Sequence, residues 1–214
     1  MKSELWDFWA GKYDKLWVQK YSLKPTRDYI SRVIEENRNS DEPIKVLDVG
    51  CGPGELMEQL GSTMENIELT GIDFSKMMLE ISRMKNKKAT HIKMDVAELN
   101  NLKDKFNVIV CTHSLPYYEE PEKVMKDLYG LLEDNGKIYM GFASGNNFYD
   151  WLLLSMVKLT TGPANYLSDD KYKTLVKPYF QIENLKIIKE RFFMPRIAIY
   201  TLKKATITLK KAVI

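Results

Sequence analysis

Short apolar runs alternate with amphipathic stretches along most of the chain. IKVLDVG (44–50) and FNVIVC (106–111) are near-continuous apolar runs bounded by turn residues, the pattern of strands buried on both faces. IELTGID (67–73), THIKMD (90–95) and KIYMGF (137–142) read as further strands. Between them lie helical patterns at about 53–60, with Pro53 suited to a first turn, at 75–84, with Ser75 as cap, and at 121–132. Asn135-Gly136 signals a turn before the fifth strand. Strand–helix alternation at this spacing predicts an α/β fold whose parallel sheet is covered on both faces.

Both ends of the chain depart from this rhythm. Residues 3–39 carry two helical patterns, through Leu5, Phe8, Trp9 and Tyr13 and then, after Pro25, through Tyr29, Ile30, Val33 and Ile34. They predict an N-terminal helical cap over 1–40. Residues 145–180 hold an amphipathic helix, NNFYDWLLLSMVKL, broken at Thr161-Gly162-Pro163, and a second helical piece near 168–177. Two β-rich runs, 181–193 and 196–209, are separated by Pro195 and predict an antiparallel hairpin at the sheet edge. The expected organisation is one domain over 1–214, with 145–180 as an inserted helical lid.

Composition narrows the class. The 214 residues are 44% hydrophobic and 29% charged, the balance of a soluble globular chain. Two cysteines, Cys51 and Cys111, exclude a disulfide scaffold, and the first residues lack the apolar run of a secretory signal. A cytoplasmic location is the expectation. No stretch is apolar for long enough to span a bilayer. The net charge of +3 gives no argument for a nucleic-acid partner, although residues 186–214 hold eight basic side chains and a single acid, Glu190. Placed on a closing hairpin, those lysines read as a solvated edge that discourages strand-to-strand aggregation.

The chemistry concentrates in Asp48-Val49-Gly50-Cys51-Gly52-Pro53-Gly54, where the first strand hands over to the first helix. Glycines there allow a tight turn and close approach of a ligand, and the helix N-terminus supplies free N–H groups. Asp73, at the end of the next strand, is placed to accept hydrogen bonds from ribose hydroxyls. Dinucleotide folds use G-x-G-x-x-G; here the spacing is G-x-G-x-G and an acid precedes it. A carboxylate at Asp48 repels a pyrophosphate but suits a ligand carrying an ammonium and a sulfonium, which favours S-adenosylmethionine (SAM).

VLDVGCGPG (46–54) resembles motif I of the class I SAM-dependent methyltransferases, and GIDFSKMML (71–79) resembles their second motif. KMDVAEL (93–99) is similar to the third, and residues 106–142 to the fourth strand, following helix and fifth strand. Trp9-x-x-x-Tyr13-Asp14 is like the entry motif of ubiquinone-type and related small-molecule enzymes, at shorter spacing. The resemblance implies a Rossmann-like, seven-stranded mixed sheet with its last strand inserted antiparallel. It implies SAM as cofactor, held by Tyr13, Asp48, Gly50, Cys51, Gly52, Gly54, Asp73, Phe74, Met78, Asp95, Val96 and Thr112.

His113, just after the fourth strand, is the candidate catalytic base; His91 reads as structural. Ser114-Leu115-Pro116-Tyr117 partly matches the [DNS]-P-P-[YFW] motif of amino-group nucleic-acid methyltransferases, lacking its first proline. Ser114, Tyr117, the cap residues Trp9 and Trp17 and the lid residues Tyr149 and Trp151 are the candidate acceptor contacts. The segment CTHSLPYY offers no acid before Glu119, so no metal is expected. The expected function is metal-independent methyl transfer to a small molecule of aromatic or hydrophobic character, by a monomer or homodimer. A macromolecule methyltransferase using the basic C-terminal segment, and a non-catalytic SAM-binding protein, are the alternatives.

Overall fold

The computed structural model describes residues 6–7, 10, 19–37, 42–146, 148–191 and 194–205, without the side chains of 159–161. Its centre is a seven-stranded sheet of β1 (Ile44–Val49), β2 (Ile67–Asp73), β3 (Thr90–Lys93), β4 (Phe106–Thr112), β5 (Leu132–Ala143), β6 (Phe180–Ile188) and β7 (Ile197–Lys204). The strand order is β3-β2-β1-β4-β5-β7-β6. The first five strands are parallel, and β7 enters antiparallel between β5 and β6. The expected α/β mixed sheet and inserted last strand are therefore present. The order reverses at the β1–β4 boundary, where the ends of open α/β sheets leave a crevice.

Adjacent residues of each central strand enter opposite cores, because side chains alternate along a strand. Leu47, Ile109 and Ile138 point into one cluster, with Leu128 of α4 (Pro121–Leu131) and Tyr172 and Val176 of α6 (Asp169–Val176). Val46, Val110 and Tyr139 point into the other, with Ile30 and Ile34 of α1 (Lys24–Glu36), Leu56 and Leu60 of α2 (Glu55–Thr63) and Leu154 of α5 (Phe148–Thr161). This explains why β1 and β4 read as continuous apolar runs: both of their faces are covered.

Several boundaries differ from the sequence reading. Pro53 lies in the loop before α2, whose N-cap is Gly54 in the left-handed conformation. Ser75 does cap α3 (Lys76–Lys85), accepting from Met78 N–H at 3.1 Å. β3 ends at Lys93, and a 3₁₀ turn over Val96–Asn101 follows that periodicity did not reveal. β5 begins directly after α4, and Asn135-Gly136 falls in a bulge where pairing moves from Phe106↔Leu132 to Val108↔Lys137. The connection between β6 and β7 spans residues 189–196, longer than a tight hairpin turn.

Candidate cofactor and acceptor site

A cavity opens over the carboxyl ends of β1, β2 and β4, where ligands bind in open α/β sheets. Its walls include Gly50, Gly52, Asp73, Phe74, Met78, Asp95, Val96, Thr112, His113, Ser114 and Tyr117. A second cavity meets it at Gly50, Gly52, Thr112 and His113 and adds Asp48, Cys51, Arg27 and Glu55. Eleven of the residues expected from sequence thus face the first cavity, and Asp48 and Cys51 face the second.

The glycine loop and Asp73 are one hydrogen-bonded unit. Gly52 N–H donates to Asp73 Oδ2 at 2.9 Å and Ser75 N–H to Oδ1 at 2.8 Å, while Gly50 and Cys51 N–H both donate to Ile72 C=O. Gly50, Gly52 and Gly54 all have positive φ. At Gly52 an added Cβ would meet no atom within 4 Å, so that position faces open space. At Gly54 it would lie 2.6 Å from Asn86 Nδ2 and 2.9 Å from Ser82 Cβ, so this glycine serves packing against α3 rather than the cavity. Cys51 packs with Met57 and Leu79, and burial pushes its thiol well above the usual range.

Asp48 is almost fully buried, and its Oδ1 has no hydrogen-bond partner. Burial, and then repulsion from Asp73, raise its pKa to about 7, against the pull of Arg27. Burial likewise raises Asp73 to about 6, opposed by the N–H donors of Ser75 and Gly52. Two buried carboxyls whose pKa values are raised, beside an open cavity, form a site short of positive charge, which a ligand cation would supply.

Arg27 was not legible in the sequence. It projects from α1, bonds Gln19 Oε1 at 3.0 Å and stands 3.8 Å from Glu55, on the wall shared with Asp48. Val49, Ile72, Met94 and Tyr118 also line the first cavity. They are ordinary core-type residues in sequence and reach the site only because the strand order brings their ends together.

His113 adopts φ 59°, the one non-glycine residue with positive φ among the described residues. Its N–H donates to Gly141 C=O at 2.7 Å, which holds this uncommon conformation. Thr26 Oγ1 donates to Ser22 C=O at 2.8 Å, so towards the His113 Nε2 at 3.4 Å it serves as acceptor. Nε2 then carries the ring proton and Nδ1 the lone pair. Burial, and then Arg27, lower the imidazole pKa to about 4.

Ser114 Oγ bonds Val49 C=O at 3.2 Å and Tyr118 OH at 2.9 Å, and both hydroxyls contact Cys111 Sγ. Tyr117 meets Trp6 edge-on at 5.3 Å. Asp95 caps the 3₁₀ turn through Ala97 N–H at 3.0 Å while facing the cavity. His91 bonds Ser82 and Ala89 away from the site. Tyr149 and Trp151 lie on α5 with exposed side chains and line none of these cavities, so the structure does not bring them to the acceptor region. Trp9, Tyr13 and Trp17 lie outside the described residues.

The sheet order, with a glycine loop after β1 and an acid at the end of β2, is that of the Rossmann-like class I methyltransferase fold. Residues 47–140 match a family model described as a methyltransferase domain. The chain is 29% identical over 143 residues to a ubiquinone biosynthesis O-methyltransferase of Histophilus somni, covering 63% of this chain and 58% of that one. It is 27% identical over 166 residues to a carboxy-S-adenosyl-L-methionine synthase of Campylobacter lari, covering 70% of this chain and 69% of that one. Magnesium protoporphyrin IX methyltransferase from Synechocystis, solved with bound S-adenosylhomocysteine (SAH), superposes with a TM-score of 0.69 at 21% identity over 89% of this chain and 88% of that one. The chain thus spans just over half the length of the ubiquinone-type relative it matches.

Proposed function

We propose that this chain binds SAM in the joined cavities and transfers its methyl group to a small-molecule acceptor of aromatic or hydrophobic character. The observation that carries the reading is the buried Asp48 carboxyl, whose Oδ1 has no hydrogen-bond partner, beside an open glycine cradle tied to Asp73. In this reading Asp73 accepts from the ribose hydroxyls, and Ile72, Phe74, Met78, Met94 and Val96 offer an apolar slot to the adenine. Asp48 faces the ammonium of the methionyl end and Arg27 its carboxylate, each matched in charge. When bound, SAM supplies an electrophilic methyl group on a sulfonium.

The chain's own residues then position the acceptor and hold its proton. His113 is neutral at physiological pH because burial and Arg27 oppose its imidazolium, so its Nδ1 lone pair is available to take a proton from a hydroxyl. Tyr117 and Trp6 offer ring faces and edges to an aromatic acceptor, and the Ser114 and Tyr118 hydroxyls a polar end. The reading invokes no metal, in keeping with a β4 end that presents Thr112, His113 and Ser114 with no carboxylate before Glu119.

The test is SAH formation from SAM with a panel of catechols and other phenols. Turnover with at least one, lost on His113→Ala, supports the proposal. SAM binding without turnover on any acceptor would favour the non-catalytic alternative.

A further inference from the structure

We propose that the outer face of α5 docks on an anionic lipid surface. This goes beyond the methyl-transfer reading and does not depend on it.

A helix with apolar residues on opposite faces is normally buried on both, and α5 carries apolar residues on opposite faces while only one of them is covered. Leu154 packs inward with Ile188, Ile197 and Ile199. The opposite side presents Phe148, Trp151, Leu152 and Met156 at helical spacing, with exposures of 75%, 59%, 45% and 61%. Phe148 and Trp151 stack on each other at 5.6 Å, so the two largest of these rings form one surface. A contiguous exposed apolar patch of this kind marks an interaction surface.

The charges around the patch select its occupant. Lys158 is exposed in the last turn of the helix, and Lys189 lies 5.8 Å from the ring of Tyr149 near the other end. Arg191 follows, with Glu190 the single exposed acid in that connection. Asp150, the one acid of the helix, is turned inward at 1% exposure. Aromatic and aliphatic side chains rimmed by cations match the boundary of an anionic bilayer, where a helix lies in the plane. A second copy of the chain fits less well, because two-fold pairing of this face would set its lysine rim against itself. At 14 residues the helix lies on a membrane and does not cross it.

The experiment is co-sedimentation of the full chain with vesicles of phosphatidylcholine alone or mixed with phosphatidylglycerol. The chain is expected to sediment with the mixed vesicles and to be released by salt. Phe148→Ser with Trp151→Ser should weaken partitioning roughly tenfold or more, and Lys158→Ala and Lys189→Ala roughly fivefold each, with thermal unfolding unchanged. A second arm leaves the surface intact: brominated lipid should quench the tryptophan fluorescence of the wild type, and Trp151→Phe should remove most of that quenching. No association with mixed vesicles overturns the proposal, as does association untouched by these substitutions. A dimer dissociated by Trp151→Ser in the absence of lipid overturns it in favour of self-association.

Discussion

The Asp73 carboxylate holds the glycine loop across the sheet, accepting the Gly52 N–H at 2.9 Å through one oxygen. Its other oxygen accepts Ser75 N–H, so a residue at the end of β2 fixes both the loop after β1 and the start of α3. The acid proposed to bind the ribose is therefore also structural. Asp73→Asn should keep part of this geometry while weakening the charge-assisted bonds. It is expected to lose less stability than Asp73→Ala, by roughly 1 kcal/mol, as measured by chemical denaturation.

Asp48 makes the site pH-sensitive. Its folded pKa of about 7 lies above the unfolded value of 3.8, as does the value of about 6 for Asp73. The folded state therefore holds protons that the unfolded state has released between these limits. These two carboxyls should therefore lower stability as pH rises from about 4 to about 7, opposed by His113, whose folded pKa of about 4 lies below its unfolded value of 6.5. Asp48→Asn should flatten this slope and raise the melting temperature of the ligand-free protein at pH 7. If Asp48 faces the SAM ammonium, binding below pH 7 should expel a proton. Titration calorimetry in buffers of differing ionisation enthalpy reads that proton, and Asp48→Asn should abolish its release.

His113 has its folded pKa at about 4, so its lone pair persists across the neutral range. Turnover should show no decline assignable to this imidazole until pH approaches 4. His113→Ala should cut kcat by roughly 10²–10⁴-fold with SAM affinity nearly unchanged. His113→Gly should be equally slow yet more stable than His113→Ala, because glycine accepts φ 59° without strain. Equal loss of SAM affinity and kcat would assign the ring a binding role instead.

Gly52 and Gly54 share a positive φ but should respond differently to substitution. Gly54→Ala drives a Cβ into Ser82 and Asn86 and should destabilise by roughly 2 kcal/mol or more. Gly52→Ala meets open space and carries only the cost of its φ of 53°, roughly 1 kcal/mol. Its larger effect should be on SAM affinity, because the added methyl stands where the ligand would approach. Parallel thermal and calorimetric measurements separate the two.

The parallel core was legible because Val46–Val49 and Ile109–Cys111 are covered on both faces and so read as short apolar runs between turn residues. The glycine loop and Asp73 were legible because a short-range pattern carries their geometry. Arg27, Met94 and Tyr118 were not, since nothing local distinguishes them and only the strand order gathers them. Tyr149 and Trp151 show the reverse difference: aromatic clustering suggested a cavity wall, whereas these rings are exposed and line none of the described cavities. The β5 bulge hides in Asn135-Gly136, which signals a turn equally well as a hairpin end or as an interruption within one strand.

Calorimetric titration of wild type and Asp73→Ala with SAM, SAH and NAD tests the central claim most directly. The account predicts binding of SAM and SAH, none of NAD, and a loss of roughly 10–100-fold in affinity for the first two on substitution. Unchanged SAM affinity in a folded Asp73→Ala protein, or preference for NAD, would contradict it.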